Sequence, residues 1–119
     1  MTVLIETEVF PLRISLKTRE PSSLRVKVTN KGSSPKLISL EVFLPHELGF
    51  DKSALNKGVR SQLGVLKPNE SKETVFKVYL NPPVAKEGVF SGKLSVLEHY
   101  KDYKQIIRNY EKEITFRIA

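Results

Sequence analysis

Leu63-Gly64-Val65-Leu66-Lys67-Pro68-Asn69-Glu70-Ser71-Lys72-Glu73-Thr74-Val75-Phe76-Lys77-Val78-Tyr79-Leu80 runs from a short apolar segment through a Pro-Asn turn into a clean alternation. Successive strand side chains point to opposite faces, so Thr74, Phe76, Val78 and Leu80 share one face and Val75, Lys77 and Tyr79 the other. One face is suited to a core and the other to water, which is the pattern of a half-buried strand in an antiparallel sheet. No catalytic motif interrupts the stretch.

The same period recurs on both sides of it. Upstream, Leu24, Val26 and Val28 alternate with Arg25, Lys27 and Thr29, and Asn30-Lys31-Gly32-Ser33-Ser34-Pro35 closes that strand with residues suited to a tight reversal. Ile38, Leu40, Val42 and Leu44 define the next inner face, leaving Phe43 on the outer one, where packing against the following loop is the expected cover. Nearer the start, Val3 to Val9 and Leu12 to Leu16 are two alternations separated by Pro11. Proline has no ladder donor, so the spacing predicts a break or a change of sheet edge there.

The segment from Pro45 to Gly58 lacks a two-residue period; a short helical turn at Ser53 to Asn56 and anchoring by Leu48, Phe50 and Leu55 are expected. Val59 to Leu66 is predicted as a strand with Val59, Ser61, Leu63 and Val65 on one face, Gly64 marking a bulge or kink. Downstream of the opening stretch, Asn81-Pro82-Pro83 stops the strand. Val89 to Tyr100 and Ile106 to Ile118 then form a long terminal hairpin, with Phe90, Leu94, Val96, Tyr110, Ile114, Phe116 and Ile118 facing inward. The turn spacing predicts an all-β, immunoglobulin-like antiparallel sandwich of seven to eight strands with Greek-key connections, spanning 1–119 as one domain. A small closed barrel is the alternative.

Composition agrees with an ordinary globular chain: 119 residues, 39% hydrophobic, with six Phe and four Tyr. The chain has no cysteine, which excludes disulfides, thiolate metal sites and cysteine nucleophiles. A formal charge of +7 favours acidic partners in general terms. The apolar runs fall far short of the ~18 residues of a membrane helix, and Glu6 and Glu8 break up the only N-terminal candidate for an export signal. No membrane span is expected, and the location is cytoplasmic if the chain is complete or extracellular if it is one module of a longer protein.

Three segments carry a family resemblance. Leu24-Arg25-Val26-Lys27-Val28-Thr29-Asn30-Lys31-Gly32 is similar to a V-x-V-x-N-x-G strand and turn. Phe43-Leu44-Pro45 with Leu48-Gly49-Phe50 is similar to L-P-x-G-L-x-F, and Leu63 to Ser71 to L-G-x-L-x-P-G-E-S, with Asn69 where glycine is usual. Together they resemble the immunoglobulin-like repeats of the CARDB and archaeal surface-layer-type families. The resemblance implies a sandwich fold and a mostly non-enzymatic role, since these are turn and core signals.

Candidate chemistry is sparse. His46 and His99 stand apart and read as surface histidines; no Gly-x-Ser-x-Gly elbow, phosphate loop or dinucleotide fingerprint occurs. No catalytic, metal or cofactor residue is assigned, and no cofactor is expected. The expected function is a protein-interaction or structural module. Placing Leu12–Leu16, Leu24–Thr29 and Thr74–Leu80 in one sheet would gather Arg13, Lys17, Arg25, Lys27, Lys77 and Tyr79 on an acid-free outer face, a footprint for an acidic protein or, as an alternative, nucleic acid. A second reading is self-association through the terminal hairpin, near whose tip lie Tyr100, Tyr103 and Tyr110.

Overall fold

The computed structural model describes residues 2–119. Nine strands occur among them: β1 (Val3–Phe10), β2 (Arg13–Ile14), β3 (Ser22–Asn30), β4 (Lys36–Phe43), β5 (Leu48–Gly49), β6 (Gly58–Leu66), β7 (Ser71–Leu80), β8 (Gly88–His99) and β9 (Ile106–Ile118). They form two sheets, a four-stranded one in the order β1-β3-β7-β5 and a five-stranded one in the order β2-β9-β8-β4-β6. Every pair is antiparallel except β2 with β9. The result is an immunoglobulin-like sandwich. Seven strands are long, and β2 and β5 add two residues each.

Pro11 is where the chain changes sheet. β1 pairs along its whole length with β3, whereas Arg13 and Ile14 pair with Arg117 and Ile118 of β9. A residue without an N–H can sit at such a crossover without leaving a ladder donor unpaired. The switch fills only the end of the β9 edge and leaves the rest of that edge open.

The inner faces are those the alternation dictates. Leu24, Val26 and Val28 of β3 and Val78 and Leu80 of β7 meet Ile38, Leu40 and Val42 of β4, Leu94 and Val96 of β8, and Ile114, Phe116 and Ile118 of β9. Burying this set from water is the main favourable term in folding. Gly92 lies in the inner face because nothing larger fits: a Cβ there would stand 2.8 Å from the Phe43 carbonyl oxygen and 3.0 Å from the Phe116 ring.

Two of the resemblance segments meet in space. Asn30 is fully buried at the end of β3, and its side-chain amide donates to the carbonyls of Leu66 (2.8 Å) and Ser34 (2.9 Å) while its Oδ1 accepts from Gly32 N–H. The Asn30 backbone exchanges bonds with Asn69 and Glu70 in the β6–β7 turn. That turn has Pro68 followed by Asn69 at φ 67°, with Glu70 N–H bonded to Lys67 C=O. This is the type II arrangement, which needs positive φ at its third residue and accepts asparagine there as well as glycine.

Several local expectations need correction. β6 carries its bulge at Gly64 (φ 83°), and the slip in register inverts the residues beyond it, so Leu63 and Leu66 face inward and Val65 is exposed. Residues 51–54 form a turn closed by Ala54 N–H to Asp51 C=O, not a helical turn. Leu48 is buried and Phe50 packs edge-on against Phe76, but Leu55 is exposed and Ala54 takes the anchoring role against Gly49. Phe43 is only half covered, with Gly58 beside its ring.

Candidate interaction surface

The outer face of the four-stranded sheet is built from β1, β3 and β7, and β1 changes its charge. Register sets Glu8 opposite Arg25 and Glu6 opposite Lys27, while Glu73 of β7 lies across from Lys27 on the other side. Arg25 binds Glu8 at 2.9 Å and reaches Glu73 at 3.6 Å. Arg25 and Lys27 are therefore matched by Glu6, Glu8 and Glu73, while Lys77 lies opposite Ser23, and the expected acid-free face does not exist. Arg13 and Lys17 are absent from it because β2 joins the other sheet. Of the expected set, Arg25, Lys27, Lys77 and Tyr79 do share one sheet, but only Arg25 and Lys27 line its shallow depression of about 180 Å³, beside Glu6, Glu8 and Glu73.

The tyrosines of the terminal hairpin separate likewise. Tyr103 folds back over the five-stranded sheet, where its hydroxyl accepts from Gly64 N–H at 3.0 Å and its ring packs edge-on to His99 at 5.1 Å. Tyr110 shares a hydrogen bond with Thr2 Oγ1 at 2.9 Å, across the sandwich. Only Tyr100 is free on the surface, with the Lys101 ammonium over its ring. Two of the three phenols thus serve the fold.

His99 is buried, contrary to its reading as a surface residue, because the hairpin tip covers it. Its Nε2 is 2.6 Å from Ser39 Oγ and its Nδ1 has no protein partner. His46 is exposed in the turn before β5, whereas His99 ends β8, so the two histidines stand on different elements. Among the described residues no group of three or more His, Cys, Asp or Glu could hold a metal ion.

Lys57 secures the long segment between β4 and β6. Its ammonium donates to the carbonyls of His46 and Leu48, and Asn81 also donates to His46 C=O. Burial lowers the Lys57 pKa, partly opposed by Glu47 and Asp51. The lysine therefore acts as a bracket for β5.

The terminal hairpin, expected to offer an edge for strand addition, does so along the outer side of β9. Beyond Arg117 and Ile118, no described strand pairs with its outer side, so Ile106 to Thr115 present unpaired backbone groups at alternate residues. The neighbouring edge of β1 is partly closed from β9 itself: Lys112 Nζ reaches the Ile5 carbonyl at 3.4 Å, and Tyr110 meets Thr2. Between the two edges Ile5, Thr7, Tyr110 and Lys112 are half-buried, and exposed Leu12 and Ile107 stand near the ends of the opening. The outward side chains of β9 here are Asn109, Glu111, Glu113 and Thr115, with no cation among them. Glu111 pairs with Lys93 at 2.9 Å and Glu113 accepts from Ser91. The sequence did contain the clue, in Pro11: a first strand committed to the other sheet cannot cover β9.

No family model matches the chain, and no curated protein matches it. Solved structures do. A CARDB domain from Pyrococcus furiosus, determined in complex with di-metal ions, aligns at a TM-score of 0.60 and 16% identity over 98% of this chain and 87% of that one. The fold is CARDB-like. A FixG-related protein from Vibrio parahaemolyticus aligns at 0.60 and 10% identity over 99% and 97% of the two chains. A fragment of Escherichia coli alpha-2-macroglobulin, from its MG7 domain to the C-terminus, aligns at 0.66 and 12% identity, over 98% of this chain but 16% of that one. At such identities the likeness concerns the fold alone. No described helix is long and apolar enough to cross a membrane.

Proposed function

We propose that this protein is a non-catalytic protein-interaction module whose partner seats along the free β9 edge of the five-stranded sheet. One observation carries the reading: between Ile106 and Thr115 the longest strand lacks a described neighbour on its outer side. Unpaired ladder groups are a ready template for another chain. The outer face of the four-stranded sheet is a weaker candidate, because Arg25 and Lys27 already face carboxylates.

Capture of partners from native lysate with and without nuclease, followed by an amide-exchange footprint on the bound module, tests this. The expected result is nuclease-resistant binding that protects amides between Ile106 and Thr115. Protection confined to the strands bearing Lys27 and Lys77 would move the site back to the other sheet, and nuclease-sensitive capture would make the partner a nucleic acid.

A further inference from the structure

We infer that the occupant of the β9 edge is an extended protein segment with basic and β-branched residues in alternation, rather than a second copy of this chain. The inference rests on the proposed interaction role and adds the chemistry of the partner.

The outward side of an added strand would lie beside Asn109, Glu111, Glu113 and Thr115. This strip carries two carboxylates and no cation on a chain whose formal charge is +7, and each carboxylate is held from the β8 side through Oε1, Glu111 by Lys93 and Glu113 by Ser91. Opposite charges directly across a ladder stabilise and like charges destabilise, so lysine or arginine suits the positions facing Glu111 and Glu113. On the β8 side the register already follows this rule, with Lys93 opposite Glu113. The inward side of the added strand would meet the half-buried Ile5, Thr7, Tyr110 and Lys112 stem. Small β-branched residues fit a pleated, half-covered surface of that kind.

The same charges disfavour self-pairing. A two-fold axis perpendicular to the sheet keeps each face of β9 on its own side. Centred on Tyr110, it sets Arg108 against Lys112; centred on Glu111, it sets that carboxylate against its copy; centred on Lys112, it sets Glu111 against Glu113. Each of these three registers meets a like-charge pair; the one centred on Asn109 avoids it but pairs only Ile106 to Lys112 of the open edge.

Two capped peptides of about ten residues, the length of the open edge, provide the probe, one alternating Lys with Val and the other Glu with Val. Each is titrated into the labelled full chain while backbone amide resonances and their exchange are followed. The Lys-Val peptide is expected to perturb and protect amides between Ile106 and Thr115. The Glu-Val peptide should bind about tenfold more weakly. The double variant Glu111→Lys, Glu113→Lys, at two exposed positions, should reverse that preference. Equal binding of both peptides at β9 would overturn the partner chemistry and leave the edge reading standing. Perturbation confined to the Lys27 and Lys77 strands, or none, would overturn both. A free chain that sediments as a dimer with β9 protected would overturn the exclusion of a second copy.

Discussion

The turn between β6 and β7 and the outer edge of β9 treat their backbone groups in opposite ways. At the turn, Asn30 alone serves the carbonyls of Leu66 and Ser34 and the Gly32 amide, and its main chain is tied to Asn69 and Glu70. Along β9, backbone groups from Ile106 to Thr115 face outward with no described strand beside them. The sequence is distinctive at the first region, which carries two of the resemblance segments, and plain at the second. Distinctive residues here satisfy buried backbone groups, and the surface open to a partner is marked by what is missing from it.

The largest expected effect lies at the turn. Asn30→Ala removes the side-chain partners of three backbone groups, one of them in a buried bond to Leu66, and should cost about 2–4 kcal/mol in chemical denaturation. A loss below about 1 kcal/mol would mean that water replaces the asparagine and that the turn is less closed than its bonds imply. A much smaller effect is expected on the outer face of the four-stranded sheet. Arg25→Glu with Lys27→Glu disrupts exposed pairs, so stability should fall by about 1 kcal/mol or less. Binding of the Lys-Val peptide should be unchanged in that variant; a loss of binding would bring the basic residues back into the site.

The smallest effect concerns Lys57 and pH. Its folded pKa lies below the ordinary 10.5 because burial disfavours the ammonium. Below the folded pKa the lysine is charged in both states. Between the folded pKa and 10.5 the unfolded chain binds more protons, so stability should rise with pH across that window. Denaturation midpoints of the native chain compared with Lys57→Met give the measurement. A flat difference would show that the hydrogen bonds to His46 and Leu48 fully offset the burial of the charge.

Period-2 alternation made the inner faces of β3, β4, β7, β8 and β9 legible, since it arises from the strand itself. Pro11 announced a change of sheet, and Gly64 announced a bulge. Alternation could not convey which strand lies beside which. Assigning Leu12 to Leu16 to the sheet of β3 drew in Arg13 and Lys17 and left out Glu6 and Glu8, because neighbour choice depends on contacts distant in the chain. The bonds of Tyr103 and Tyr110 were hidden for a similar reason: their partners, Gly64 and Thr2, are far away in sequence. Val65 was misplaced by one residue of slip, which inverts every side chain after a bulge.

The most direct measurement of the central claim is amide hydrogen exchange, residue by residue, on the free chain. An edge strand paired on one side only should show slow and fast amides in alternation from Asn109 to Thr115, the fast ones pointing away from β8, while the Gly32 and Asn69 amides stay protected. Uniform protection along that part of β9 would mean that another strand already occupies the edge, and would contradict the account.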